Sequence, residues 1–140
     1  MAWFLESVTP MIEFFMPMRP PTVTAQEHKI STRNGKVRVY QPPQLADARA
    51  KLEAHLGQYA PKEPLDGALI LQTKWCFPKG KHPDGSYKTT RPDTDNLNKL
   101  LKDCMTRLRF WKDDAQVAVE INEKRWCQIP GIYIRIEELP

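Results

Sequence analysis

Long uninterrupted apolar runs are missing from this 140-residue chain. Its most apolar opening, around Trp3, Phe4 and Leu5, is broken by Glu6, Pro10 and Glu13 and has no basic residues ahead of it. That argues against a signal peptide and against a transmembrane helix, so no membrane partner is expected. Cysteine is scarce as well: Cys76, Cys104 and Cys127 are odd in number, far apart and in no C-x-x-C pair. A disulfide framework and a zinc knuckle are therefore not indicated, and free thiols suit a reducing cytoplasm. Internal repeats and low-complexity tracts are also absent. What remains is an ordinary globular composition, 27% charged and 41% hydrophobic, at a length that supports one core.

Hydrophobic spacing predicts the elements. Ile12 to Met16 reads as a short strand before a proline-rich turn, Pro17-Met18-Arg19-Pro20-Pro21. Gln26 to Ser31 and Lys36 to Tyr40 flank Asn34-Gly35, a strong hairpin signal. Leu45, Ala48, Leu52, Leu56 and Tyr59 recur at helical spacing until Pro61. Leu69, Leu71, Thr73, Trp75 and Phe77 share one parity, which predicts a strand with one buried face. A second helix starts near Asp95, with Leu97, Leu100, Leu101, Cys104, Met105 and Leu108 along one stripe. Its apolar face needs a sheet. Ala115 to Trp126, where Val117, Val119 and Ile121 alternate with Glu120, Asn122 and Lys124, and then Ile132, Ile134 and Ile136, are the candidate strands. The Pro130-Gly131 turn between them predicts that these two run antiparallel.

Net charge is only +4, but its distribution is uneven. Between Pro78 and Pro92, Lys79, Lys81, Lys88 and Arg91 face a single acid, Asp84, in a segment too rich in glycine and proline for regular structure. The expectation is a mobile basic loop over 78–91 that contacts backbone phosphates, or simply a solvated one. His82 and Tyr87 within it are weaker candidates for base stacking. Trp75, Trp111 and Trp126 are read as core or dimer-interface residues.

Acidic residues flank the second helix on both sides. Asp93 and Asp95, two apart in the extended stretch that Pro92 favours, can lean to one side of the chain. Asp113 and Asp114 follow the helix. Carboxylates that converge need a cation, because each raises the pKa of the others, and an all-oxygen set suits Mg²⁺ or Mn²⁺. Such a cation activates water toward a phosphodiester. An equally available reading makes Asp95 the N-cap, with Asp93 favouring the same helix dipole, and Asp113-Asp114 a solvated turn. Lys99 sits four residues from both Asp95 and Asp103 and suits exposed ion pairs or a phosphate brace. A helix of about 14 residues spans ~21 Å, so spacing alone does not bring Asp114 to Asp93.

The segments Arg91-Pro-Asp-Thr-Asp-Asn-Leu-Asn-Lys99 and Phe110-Trp-Lys-Asp-Asp-Ala-Gln-Val117, with Asp103 between them and Lys124 after them, resemble the signature of RusA-type Holliday junction resolvases. The match spans about 35 residues in order and spacing. The resemblance implies a compact single α/β (α+β) domain, with a mixed sheet packed against two main helices, that forms a symmetric homodimer. It implies that Asp93, Asp95 and Asp114 bind Mg²⁺, that Mn²⁺ substitutes, that Lys99 assists catalysis, and that Asp113 is a secondary candidate. Residues 1–10 read as an extension ahead of an endonuclease domain over 11–140.

The expected function is a magnesium-dependent endonuclease that nicks four-way branched DNA at symmetric positions. Lys79, Lys81, Lys88 and Arg91 would contact its phosphates. Two rivals stand beside it: a related nuclease acting on flaps, forks or RNA hybrids through the same aspartates, and a non-catalytic junction-binding protein that needs only the basic loop and the dimer.

Overall fold

A computed structural model of the chain describes residues 11–24, 29–33, 35–40 and 43–140. Four strands form one mixed sheet in the order β1-β6-β4-β5: β1 (Met11–Pro17), β6 (Gly131–Glu138), β4 (Leu69–Pro78) and β5 (Val117–Cys127). The helices are α1 (Pro43–Leu56) and α2 (Thr94–Arg107). β2 (Lys29–Arg33) and β3 (Lys36–Tyr40) form the expected hairpin, with Arg33 opposite Lys36 and Gly35 at φ 75°. The expected start of its first strand, Gln26 to His28, lies outside the described residues, as do residues 1–10.

The core lies on one face of the sheet. The odd-numbered residues of β4, from Leu69 to Phe77, are all buried, as their parity predicts. Leu45, Leu52 and Leu56 of α1 and Leu97, Leu100, Leu101 and Met105 of α2 are fully buried in the same cluster, with Ile132, Ile134 and Ile136 of β6. Trp75 and Trp111 belong to it too, which is the packing role expected of them. The opposite face carries a ladder of ion pairs instead: Lys74–Glu123, Glu123–Arg125 and Arg135–Glu137. This is a two-layer α/β domain. No helix among the described residues is long and apolar enough to cross a membrane.

Two expectations need correction. β5 and β6 run in opposite directions, but they are not neighbours: β4 lies between them, parallel to β5 and antiparallel to β6. The apolar alternation along β5 also fails to mark its buried side. Leu69 pairs with Val117 but Ile70 pairs with Val119, so the register slips at Ala118. A bulge of one residue turns every later side chain to the other face. Val117 stays against the core, while Val119 and Ile121 are 41% and 49% exposed. Glu120, Asn122 and Lys124, aligned with Leu71, Thr73 and Trp75, take the helix side.

β6 meets β1 at a close approach. Gly131 pairs with Pro17, and a Cβ there would lie 2.2 Å from the Phe15 ring and 2.6 Å from the Met16 carbonyl oxygen. Only glycine fits.

Candidate active site

Asp93, rather than Asp95, is the N-cap of α2, and its backbone is extended at φ −73° and ψ 150°. Its carboxylate makes no capping hydrogen bond, although a capping aspartate is worth about 1 kcal/mol. Asp95 lies in the first turn. Both carboxylates are exposed, and neither has an ion-pair partner among the described residues. The capping bond expected of Asp95 is thus made by neither residue, while the favourable field of the helix dipole applies to both.

The other acidic pair separates into two roles. Asp113 accepts from the Ala115 amide at 2.9 Å, while Gln116 Oε1 accepts from the Asp113 amide at 3.0 Å, a reciprocal capping box. Gln116 Nε2 then donates to the carbonyls of Leu65 and Gly67, which fastens the turn to the start of β4. Asp113 is therefore occupied locally. Asp114, in the short 3₁₀ turn Asp114–Gln116, makes no side-chain bond among the described residues.

Within one subunit Asp114 does not reach the other two. The chain before α2 is fastened to Lys124, whose Nζ donates to the Pro92 carbonyl at 2.8 Å, whereas Asp114 leads into Val117 at the opposite end of β5. Seven strand residues separate those levels, roughly 23 Å. Among the described residues no group of three His, Cys, Asp or Glu side chains is placed to share a metal ion.

The basic segment is tied down along the outer edge of β5, contrary to the expected mobile loop. Gly85 and Lys88 amides donate to Trp126 and Lys124 carbonyls, the Trp126 amide donates to Ser86, and Asp84 accepts from the Gln128 amide. Tyr87 bridges to Arg125, whose guanidinium lies 4.2 Å from its ring centroid. His82 stacks at 4.1 Å on Trp126, which is half-buried and packs against the core, the role expected of it.

Lys81 and Arg91 are exposed and Lys79 is half-buried, so all three are accessible to phosphates. Lys88 departs from expectation. It is 8% exposed, lies 4.5 Å from the Trp126 centroid and 5.1 Å from that of Phe77, and donates to Thr90 Oγ1 and to the carbonyls of Thr90 and Arg91. Three donors are spent on three acceptors. Lys88 is a structural cation and is corrected from the phosphate contacts. Lys99 pairs with Asp103 at 3.5 Å and leaves Asp95 free.

Beneath α2 lies a polar network that the helical stripe concealed. Asn98 is fully buried; its Oδ1 accepts from Trp75 Nε1 and Thr73 Oγ1, both at 3.0 Å, and its Nδ2 donates to Asn122 and to Glu120 at 3.3 Å. Lys102 closes the network on Glu120. Partial burial alone would raise the Glu120 pKa; the hydrogen bonds from Lys102 and Asn98 outweigh it and hold the group below the ordinary carboxylate value. The available signal was parity: Thr73 sits among the buried residues of β4, and Asn98 follows the apolar stripe by one position.

A two-layer α/β domain thus presents two uncommitted carboxylates at a helix start beside a basic strap, oxygen donors that suit a divalent cation next to a polyanion. The family model for endodeoxyribonuclease RusA matches residues 17–137. The chain is 32% identical over 120 residues to the crossover junction endodeoxyribonuclease rusA of Lactococcus phage r1t, covering 81% of this chain and 90% of that protein. It is also 28% identical over 121 residues to the uncharacterized protein YqaN of Bacillus subtilis (strain 168), covering 78% and 84%. The chain belongs to the RusA family of endodeoxyribonucleases.

Proposed function

We propose that the protein is a divalent-metal-dependent Holliday junction resolvase that acts as a homodimer, with each site completed across the dimer by Asp114 of the partner subunit. The observation that carries this reading is the pair of uncommitted carboxylates, Asp93 and Asp95, at a helix start whose capping bond is left unmade. Two carboxylates alone give an incomplete oxygen set, and the third lies at the far end of β5.

The edge of β5 supplies a route. Its later part, Lys124 to Trp126, is occupied by the Ser86–Lys88 segment, which among the described residues leaves 117–123 as the open edge. Two such edges pairing antiparallel about a two-fold axis use their full length when the axis passes through Glu120. Val119 then stands opposite Ile121 of the partner subunit, gathering the exposed apolar residues into one cross-strand cluster. Each Glu120 arrives already paired with Lys102. The same pairing carries the Asp114 end of one strand to the Lys124 end of the other, where Asp93 begins. A bound Mg²⁺ or Mn²⁺ there would supply activated water and charge neutralisation at phosphorus. In this reading Lys79, Lys81 and Arg91 hold the backbone phosphates, and Lys99 assists at the scissile one. Free thiols at Cys76, Cys104 and Cys127 suit a reducing cytoplasm.

The test uses a synthetic four-way junction, a flap, a fork and a linear duplex, each with Mg²⁺ or EDTA. Paired symmetric nicks in the junction are expected, lost in EDTA, in Asp93→Asn and in Asp114→Asn, with junction binding retained. Preference for flaps or forks replaces the substrate; binding without cutting under every condition leaves a junction-binding protein. Mixing the two inactive variants tests the shared site. Mixed dimers carry one site with all aspartates intact, so roughly a quarter of wild-type nicking returns, as single nicks. A site contained in one subunit predicts no recovery.

A further inference from the structure

Two lysines converge on the three residues that lead into Asp93. Lys124 Nζ donates to the Thr90 carbonyl at 2.6 Å and to the Pro92 carbonyl at 2.8 Å. Lys88 Nζ donates to the Arg91 carbonyl at 2.6 Å and reaches the same Thr90 carbonyl at 3.4 Å. Three consecutive carbonyls thus point at two ammonium groups, and neither has a carboxylate partner among the described residues. Burial first, and then the charge of Lys124, hold the Lys88 pKa below its ordinary value. A like-charged pair beside one carbonyl repels, and the charge-assisted bonds to the three carbonyls hold the pair in place. Its effect is geometric. It fixes the backbone at Thr90, Arg91 and Pro92, and with it the extended conformation in which Asp93 leaves the helix cap unbonded.

We propose that Lys124, braced by Lys88, is the positioning residue of the carboxylate site: it holds the Thr90–Pro92 carbonyls so that Asp93 and Asp95 present their oxygens together to a divalent cation. Lys124 reaches this segment from β5, so it also ties the helix start to the strand whose edge brings in the partner subunit. The inference rests on the nuclease reading above.

The experiment measures Mn²⁺ binding by calorimetry on the dimeric wild type, Lys124→Met, Lys124→Gln and Asp93→Asn. Amide exchange over residues 89–97 of the metal-free protein is followed in parallel, together with junction binding in EDTA at several salt concentrations. Removal of an outer support for metal ligands typically lowers affinity about 10–100-fold. Lys124→Met is therefore expected to weaken Mn²⁺ binding by at least about tenfold and to speed exchange over 89–97, with junction affinity in EDTA and its salt slope unchanged. Should Lys124→Met not fold, Lys124→Gln, which keeps an N–H donor, is expected to show a smaller loss in the same direction. Wild-type Mn²⁺ affinity in a folded Lys124 variant overturns the inference. So does weakened junction binding in EDTA with a shallower salt slope, which makes Lys124 a phosphate contact. A wild type that neither binds Mn²⁺ nor cuts any branched substrate sinks the nuclease reading and this inference with it. Wild-type binding and cutting with an indifferent Lys124→Met sinks this inference alone.

Discussion

Arg109 occupies a left-handed backbone conformation, φ 65°, immediately after α2. The Phe110 amide donates to Met105 and the Arg109 amide to Thr106, which are the two bonds of a Schellman ending. That position ordinarily favours glycine, because a Cβ costs about 1 kcal/mol there. Arg109→Gly is therefore expected to stabilise the fold by about 1 kcal/mol, read as a raised urea midpoint with an unchanged slope. Gly131 predicts the reverse. A methyl group there collides with both the Phe15 ring and the Met16 carbonyl, so Gly131→Ala should cost about 1–3 kcal/mol through overpacking. An unchanged midpoint in that variant would show that β1 shifts away freely. The division of labour between Asp113 and Asp114 belongs to this scale too. One carboxylate is occupied by a capping box and its neighbour has no local bond, so Asp113→Ala should lower stability while Asp114→Ala should not.

At the scale of elements, the network under α2 makes a pH-dependent contribution. The Glu120 carboxylate is held below its ordinary pKa, so its contribution is present above the unfolded value near 4.5 and is lost as pH falls through the folded value. Urea unfolding of wild type and Glu120→Gln across this range should show a stability difference that is full at neutral pH and shrinks below pH 4.5. A constant difference would remove the ionised state from the explanation. The same network shows what the sequence made legible. α2, β4, β6, the hairpin turn and the one-faced burial of β4 follow from periodicity, because one apolar side must meet the core. β5 did not yield to that reading, since a single bulged residue at Ala118 reverses which alternation faces inward, and nothing in Val117-Ala118-Val119 marks it. Asp93 and Asp95 are visible as a pair, but only the backbone of α2 shows that Asp93 is the N-cap and that its side chain makes no capping bond. Lys88 reads as a phosphate contact and Lys124 as the last residue of the family signature; only the chain path of 85–92 shows that they face their own backbone.

At the scale of the whole molecule, the open edge of β5 is the feature on which the proposed site depends. An unpaired strand edge is a template for association, and proteins usually guard such edges with charge, proline or a covering segment. Here the strap at Ser86–Lys88 covers one end, while residues 117–123 carry Val119 and Ile121 exposed on one face. Ile121→Lys places a charge within the proposed cross-strand cluster without touching the core, Asp93 or Asp95. The expected result is a folded monomer by sedimentation, with an unfolding midpoint that no longer depends on protein concentration and with metal-dependent cleavage lost. The loss of cleavage matters most: if each site holds all its carboxylates within one chain, the monomer still nicks junctions at unpaired positions. A monomeric Ile121→Lys that nicks at the wild-type rate therefore excludes the shared site, whereas a monomer that binds junctions and cuts nothing ties catalysis to the β5 edge.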